Sequence, residues 1–214
     1  LLGPAQPDPV PTPGKKLKEL ILPLKNPGKP TQHFVGNYDW YKANSVVGHN
    51  GTDWGVPVGT PLYAVADGVI EWVDTDVDDK GAIKGWGNYI RIWHPDYGFH
   101  SFLAHMREQS KLKKGDVIKQ GDVVGYTGNT GWSTGPHLHY SVRLAKPDSQ
   151  YLGTTANTKG YVDPLLFHDW VNAWLVPSSG GSSDTSELEA ALKVIADLKA
   201  TIKQISDIAS KAGS

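Results

Sequence analysis

From Gln32 to Trp170 short β-rich runs alternate with glycine and aspartate turns, a pattern that a helical bundle cannot use and a small β body can. Pro61 to Ala66 stops at Asp67-Gly68 before Val69 to Val73 resumes, which predicts two strands across a tight Asp-Gly turn. Tyr89 to Trp93 alternates with period two, and Asp96-Tyr97-Gly98 can turn it into Phe99 to Leu103. A short internal echo follows, Lys114-Gly115-Asp116-Val117-Ile118 and then Gln120-Gly121-Asp122-Val123-Val124. Together these runs predict a mainly β chain, with a small antiparallel sheet that is barrel-like or sandwich-like.

Composition narrows what such a body does. The 214 residues include 24 glycines, 15 prolines and 8 tryptophans, with 39% apolar and 20% charged residues, as in ordinary globular chains. A net charge of -1 lacks the basic stripe of a nucleic-acid binder, so no nucleic-acid partner is expected. With no cysteine, disulfides, thiolate-held zinc and thiol nucleophiles are excluded. No apolar run approaches the ~20 residues of a membrane-spanning helix, and no basic-then-apolar leader follows Leu1.

Four regions are expected. Residues 1–30 form a proline-rich arm or linker, and residues 31–173 form the β domain. Residues 174–186 form a Ser/Gly-rich linker, and residues 187–214 form a C-terminal amphipathic helix. In the last, Leu188, Leu192, Ile195, Leu198, Ile202, Ile205 and Ile208 recur every three or four positions. The periodicity fits self-association as a coiled coil, or docking on the same or a neighbouring domain.

Histidines and an aspartate fall where a metal site can be built. His49-Asn50-Gly51-Thr52-Asp53 sets an imidazole and a carboxylate on either side of a glycine, where the backbone can bend to let them converge. His137-Leu138-His139 sits in a short strand, so its two imidazoles share one face. His105 ends the strand that begins near Phe99. Nitrogen and carboxylate ligands suit Zn²⁺, and three protein ligands leave a fourth position for water, whose pKa the metal lowers toward neutrality. His33, His94, His100 and His168 are assigned to structural or surface roles.

Order and context add a family resemblance. Gly48 to Asp53, Gly59 to Ile70, Gly87 to His94, Leu103 to Met106 and Gly131 to Tyr140 appear in this order, closed by Val162-Asp163-Pro164-Leu165-Leu166. The set resembles the lysostaphin and LytM-like peptidases, the M23 metallopeptidases, over about His33 to Trp170. The resemblance implies a small antiparallel β domain of the duplicated hybrid-motif kind that cuts peptide bonds of peptidoglycan with one Zn²⁺ per chain. His49, Asp53 and His139 match the zinc ligands, and His105 and His137 match the two histidines that move protons. Tyr41 lies where some members carry an assisting tyrosine, and Trp86 and Trp132 fall in glycine-containing loops suited to gripping substrate or to anchoring the loops. The expected place of work is extracellular, at the cell wall or the periplasmic face, in a secreted enzyme, a phage endolysin or a virion component.

Three other readings compete. A catalytically silent relative would bind wall or activate other hydrolases, yet all five positions are filled. A carboxypeptidase of related zinc architecture would need a Glu-x-x-Trp-His-like motif, which is missing. A biotin- or lipoate-carrying barrel would leave the histidines without a purpose.

Overall fold

The computed structural model describes residues 17–36, 48–145 and 160–175. The chain divides into Leu1–Leu175 and Val176–Ser214. The second unit, with the expected helix over 187–214, lies outside the described residues, as do residues 1–16 and Tyr41.

The first unit is mainly β. Its strands are β1 (Thr52–Gly55), β2 (Pro61–Tyr63), β3 (Gly68–Val77), β4 (Ile83–His94), β5 (Phe99–Met106), β6 (Val117–Ile118), β7 (Val123–Tyr126), β8 (His137–Leu144) and β9 (Tyr161–Val162). A helix, α1 (Pro164–Leu175), follows. The main antiparallel sheet runs β1-β8-β5-β4-β3-β6, with β9 joining the edge of β8, while β2 and β7 form a separate pair. The hairpin expected across Asp96-Tyr97-Gly98 is present as β4 and β5, closed by the Tyr97 and Gly98 amides donating to the His94 carbonyl.

The hairpin expected across Asp67-Gly68 is not. β2 pairs with β7, and β3 pairs with β4 and β6. Gly68 meets a packing demand rather than a turn demand. A Cβ there would lie 2.7 Å from the Trp93 carbonyl oxygen and 2.8 Å from an Ile92 methyl. The Asp67 carboxylate instead accepts from the Gln120 amide at 2.9 Å and from Lys119 at 3.1 Å, tying the end of β2 to the second copy of the Gly-Asp echo.

That echo is one turn used twice. Asp116 accepts from the Lys113 amide and Asp122 from the Lys119 amide, each at 2.8 Å, with Gly115 and Gly121 at φ 94° and 86°. The Gly115 amide donates to Ile70 and the Gly121 amide to Ala64. The first copy thereby delivers β6 to the main sheet, and the second delivers β7 to the small one.

Leu62, Ile70, Ile90, Ile92, Phe99, Leu103, Val124, Leu138, Tyr140 and Val142 form the core. Alternation along β8 sends Leu138, Tyr140 and Val142 into it and His137, His139 and Ser141 to the opposite face. The segment 17–30 packs on this body. Leu20 and Leu24 are buried in the core, the Ile21 amide donates to Val65, and the Tyr63 amide donates to Pro23. The Asn172 side chain of α1 holds Leu20 by accepting from its amide at 2.6 Å and donating to its carbonyl at 3.0 Å.

Helix α1 was not anticipated, although its signals are present. Asp163 caps it by accepting from the amides of Leu165 and Leu166, and Pro164 occupies the first helical position. Phe167 and Val171 face the core. Among the described residues no helix is long and apolar enough to cross a membrane.

Candidate metal centre

Antiparallel pairing of β1 with β8 sets Asp53 directly opposite His139, and His49 precedes Asp53 by one short loop. The His139 Nδ1 atom lies 2.8 Å from Asp53 Oδ1. His49 Nε2 lies 3.0 Å from the same oxygen and 2.9 Å from His139 Nδ1. All three residues are buried, and among the described residues they form the group able to hold a metal ion.

Their outer atoms are also tied. His49 Nδ1 lies 2.9 Å from the His33 carbonyl oxygen. Since a carbonyl only accepts, Nδ1 carries the proton and Nε2 turns a lone pair inward. His139 Nε2 lies 2.7 Å from the Ser141 hydroxyl, an arrangement that orients the ring and leaves Nδ1 for the centre. Burial pushes the Asp53 carboxyl up, but its contacts with His139 and His49 outweigh that and hold it well below the usual carboxylate range. A carboxylate and an imidazole lone pair thus converge with a second imidazole nitrogen in a largely buried site. That donor set fits a divalent cation with an affinity for nitrogen and oxygen.

His105 and His137 stand beside this centre with ring centroids 4.6 Å apart. His137 Nε2 comes to 3.9 Å from Asp53 Oδ2. His137 Nδ1 donates to the Gly135 carbonyl at 2.8 Å, within 3.0 Å of the Ser133 hydroxyl. His105 Nδ1 donates to the Thr130 carbonyl at 2.7 Å. In either ring the neutral form therefore carries its proton on Nδ1 and leaves Nε2 bare. Burial, reinforced by the neighbouring His139 and His137, pushes His105 down to about 3, so it is neutral.

A bulge aims His105. From Asn88 to Ile90 β4 takes two steps while β5 takes three, from Met106 to Leu103, and His105 in that extra step has φ 58°. Such a bulge re-aims a side chain at a cost in backbone strain. Thr130 is fixed in turn, donating from Oγ1 to the Met106 carbonyl at 2.8 Å and accepting from the Asn88 amide at 3.0 Å.

The structure thus brings His49, Asp53, His139, His105 and His137 together. The half-buried Trp86 ring lies edge-on to His139 at 5.0 Å and against Phe102 at 5.3 Å. Trp132 is 63% exposed. Of the other described histidines, His33 meets the centre through its carbonyl, and three stay apart. His94 bonds the Asp67 carbonyl and Ser101, His168 bonds the Tyr140 hydroxyl, and His100 pairs with Glu71. Sequence reasoning missed the holders Ser141, Thr130 and the carbonyls of His33 and Gly135. Ser141 alone carried a signal, being two residues beyond His139 on the same strand face.

A β sheet carrying a buried His-Asp-His cluster, flanked by His105 and His137, defines a metallohydrolase centre. The model of peptidase family M23 matches residues 47–160, more than half of the chain, and the chain belongs to that family. An uncharacterised metalloprotease of Buchnera aphidicola is 42% identical over 98 residues, covering 46% of this chain and 24% of that protein. The DD-carboxypeptidase/endopeptidase Mpg of Neisseria meningitidis is 41% identical over 96 residues, covering 45% and 20%. Among solved structures, a zinc-containing peptidase from Vibrio cholerae is 29% identical with TM-score 0.50, covering 60% of this chain and 38% of that one. The matches to those two relatives span about a quarter of their length or less.

Proposed function

We propose that this chain is a zinc-dependent endopeptidase that hydrolyses peptide bonds of bacterial peptidoglycan, with His49, Asp53 and His139 holding one Zn²⁺. The observation that carries it is the convergence of His49 Nε2, Asp53 Oδ1 and His139 Nδ1 within 3.0 Å of one another, with His105 and His137 alongside. Zinc bound there supplies a Lewis acid that polarises the scissile carbonyl and acidifies water. His105 and His137 handle the protons. Each has its Nδ1–H committed to a carbonyl, so each Nε2 can accept a proton from water and deliver it to the departing amine. Burial keeps His105 unprotonated at rest. Asp53 stays ionised, and its second oxygen lies on the His137 side, where it stabilises that imidazole once protonated.

Peptidoglycan as substrate is supported by a Vibrio cholerae relative named peptidoglycan DD-endopeptidase ShyC, 41% identical over 93 residues, and such a substrate lies outside the cytoplasmic membrane. The endolysin expectation gains no support from the relatives named above. Trp132, exposed on the loop before β8, and Trp86 are the aromatics that contact substrate, with Tyr41 assisting. The helix over 187–214 serves for partner docking or self-association.

The test is release of new amino groups from purified sacculi by zinc-loaded protein. Chelation or His139→Ala is expected to abolish it, and zinc to restore the chelated sample. Undiminished release after chelation would overturn the assignment, while zinc binding without release would leave a silent wall-binding module.

A further inference from the structure

The metal-bearing face of the sheet continues beyond His139. In register with Ser141 stand Phe102 of β5, Arg91 of β4 and Trp72 of β3. A parallel row holds Arg143, His100 and Trp93. Glu71 sits where the β3 register shifts between Ile70 and Trp72 and ties the two rows together. Its Oε2 lies 2.9 Å from Arg91 Nε and 2.8 Å from His100 Nδ1. These three atoms are shut off from water and lie at ion-pair distance without good hydrogen-bond alignment. Burial raises the Glu71 carboxyl, and His100 and Arg91 outweigh it, leaving it below its ordinary value.

The Trp72 ring carries Arg91 at 5.3 Å and Lys114 at 4.9 Å. Arg91 and Lys114 thus share the Trp72 ring, and the next carboxylate along β3, Asp74, stands a row away opposite Tyr89. Arg91 meets Glu71 through Nε, and among the described residues its terminal nitrogens make no hydrogen bond. Its side chain is 23% exposed, so a ligand can reach it. A guanidinium held along one edge and one face presents its remaining fork to a carboxylate.

We propose that Arg91, braced by Glu71 and Trp72 and flanked by His100, is a subsite for a free carboxylate of the substrate peptide. The proposal rests on the peptidase assignment above and sharpens it. Arg91 lies two strands across and two residues along from His139, about 12 Å away at ordinary strand spacing and rise. An extended peptide covers that in three to four residues. The preferred substrate is thus an acidic stem peptide, with its carboxylate about three residues from the scissile bond, rather than a neutral glycine bridge.

Two probes differing in one group test this: the tetrapeptide L-Ala-γ-D-Glu-L-Lys-D-Ala and the same peptide with the D-Glu α-carboxylate amidated. Calorimetric titration of the full chain at low salt is expected to show the acid binding about tenfold tighter than the amide. Arg91→Gln should bring the two affinities together, Arg91→Lys should restore part of the gap, and about 0.5 M NaCl should compress it in the unchanged protein. Equal affinities in the unchanged protein, or a preference insensitive to both salt and Arg91→Gln, would overturn the subsite. If Arg91→Gln does not fold, the salt dependence decides. A protein that cleaves sacculi but binds acid and amide equally loses the subsite alone. One that prefers the acid but cleaves nothing loses the peptidase assignment alone.

Discussion

Gly51 lies against the His139 ring so closely that a Cβ on it would stand 2.7 Å from Cε1 and Nε2 and would also strike the Tyr140 carbonyl oxygen. The loop carrying His49 can therefore cross β8 only with glycine at this point. Gly51→Ala must push the loop off the strand and separate His49 from His139. Zinc affinity, measured by competition with a chromophoric chelator, is expected to fall about tenfold or more. The melting temperature should drop by roughly 3–10 °C, as overpacking costs about 1–3 kcal/mol. Unchanged affinity would mean that the loop has room the structure does not show.

Ser141 touches the metal site only through His139, whose Nε2 it meets at 2.7 Å. Both groups are buried, so Ser141→Ala leaves the imidazole without its orienting partner. Zinc affinity should fall about 10–100-fold while the denaturation midpoint moves little. A chelator competition curve that overlays that of the unchanged protein would show that the hydroxyl orients nothing.

His105 combines a backbone at φ 58° with a proton-handling ring. Asparagine tolerates that backbone region better than alanine, so His105→Asn separates chemistry from strain. It should bind zinc stoichiometrically yet lose about 10²–10⁴ in kcat/KM on a peptide substrate. His105→Ala should lose as much activity and be about 1 kcal/mol less stable than His105→Asn. Full activity in His105→Asn would take His105 out of the proton path.

His94 and His168 give the protein an acid-labile core. Burial pushes His94 down to about 4 and His168 to about 3, against about 6.5 in an unfolded chain. Below pH 6.5 the unfolded state binds protons that the folded state refuses, so stability is full above that pH and falls as the pH drops toward 4. The slope is ~1.4 kcal/mol per histidine per pH unit. Urea midpoints should hold from pH 7.5 to about 6.5 and fall steadily from there to pH 5, and a profile flat throughout would show that both rings charge in place.

The strand content, the β4–β5 hairpin and the repeated Gly-Asp turn were legible because each depends on local chemistry, while the five residues that converge were singled out by ordered motifs and a family resemblance. Period-two alternation marks a half-buried strand, and Gly115-Asp116 and Gly121-Asp122 mark turns. His137-Leu138-His139 puts two imidazoles on one face whatever the strand pairs with. The Asp67-Gly68 hairpin was misread because an Asp-Gly pair looks the same locally whether it turns the chain or lets a neighbouring strand approach. Helix α1 carried a cap at Asp163 and a proline at 164, but its nearly continuous apolar composition lacks the periodicity that reveals a surface helix.

What the chain determines by itself is which groups are available: two imidazoles and a carboxylate that suit zinc, two more imidazoles, and no thiol. Only the tertiary structure decides that they meet. The β1–β8 register sets Asp53 opposite His139, a bulge in β5 aims His105, and carbonyls of His33, Thr130 and Gly135 choose which ring nitrogen is bare. Backbone carbonyls are identical at every position, so no residue pattern announces them. Long-range pairing selects which of them a histidine meets.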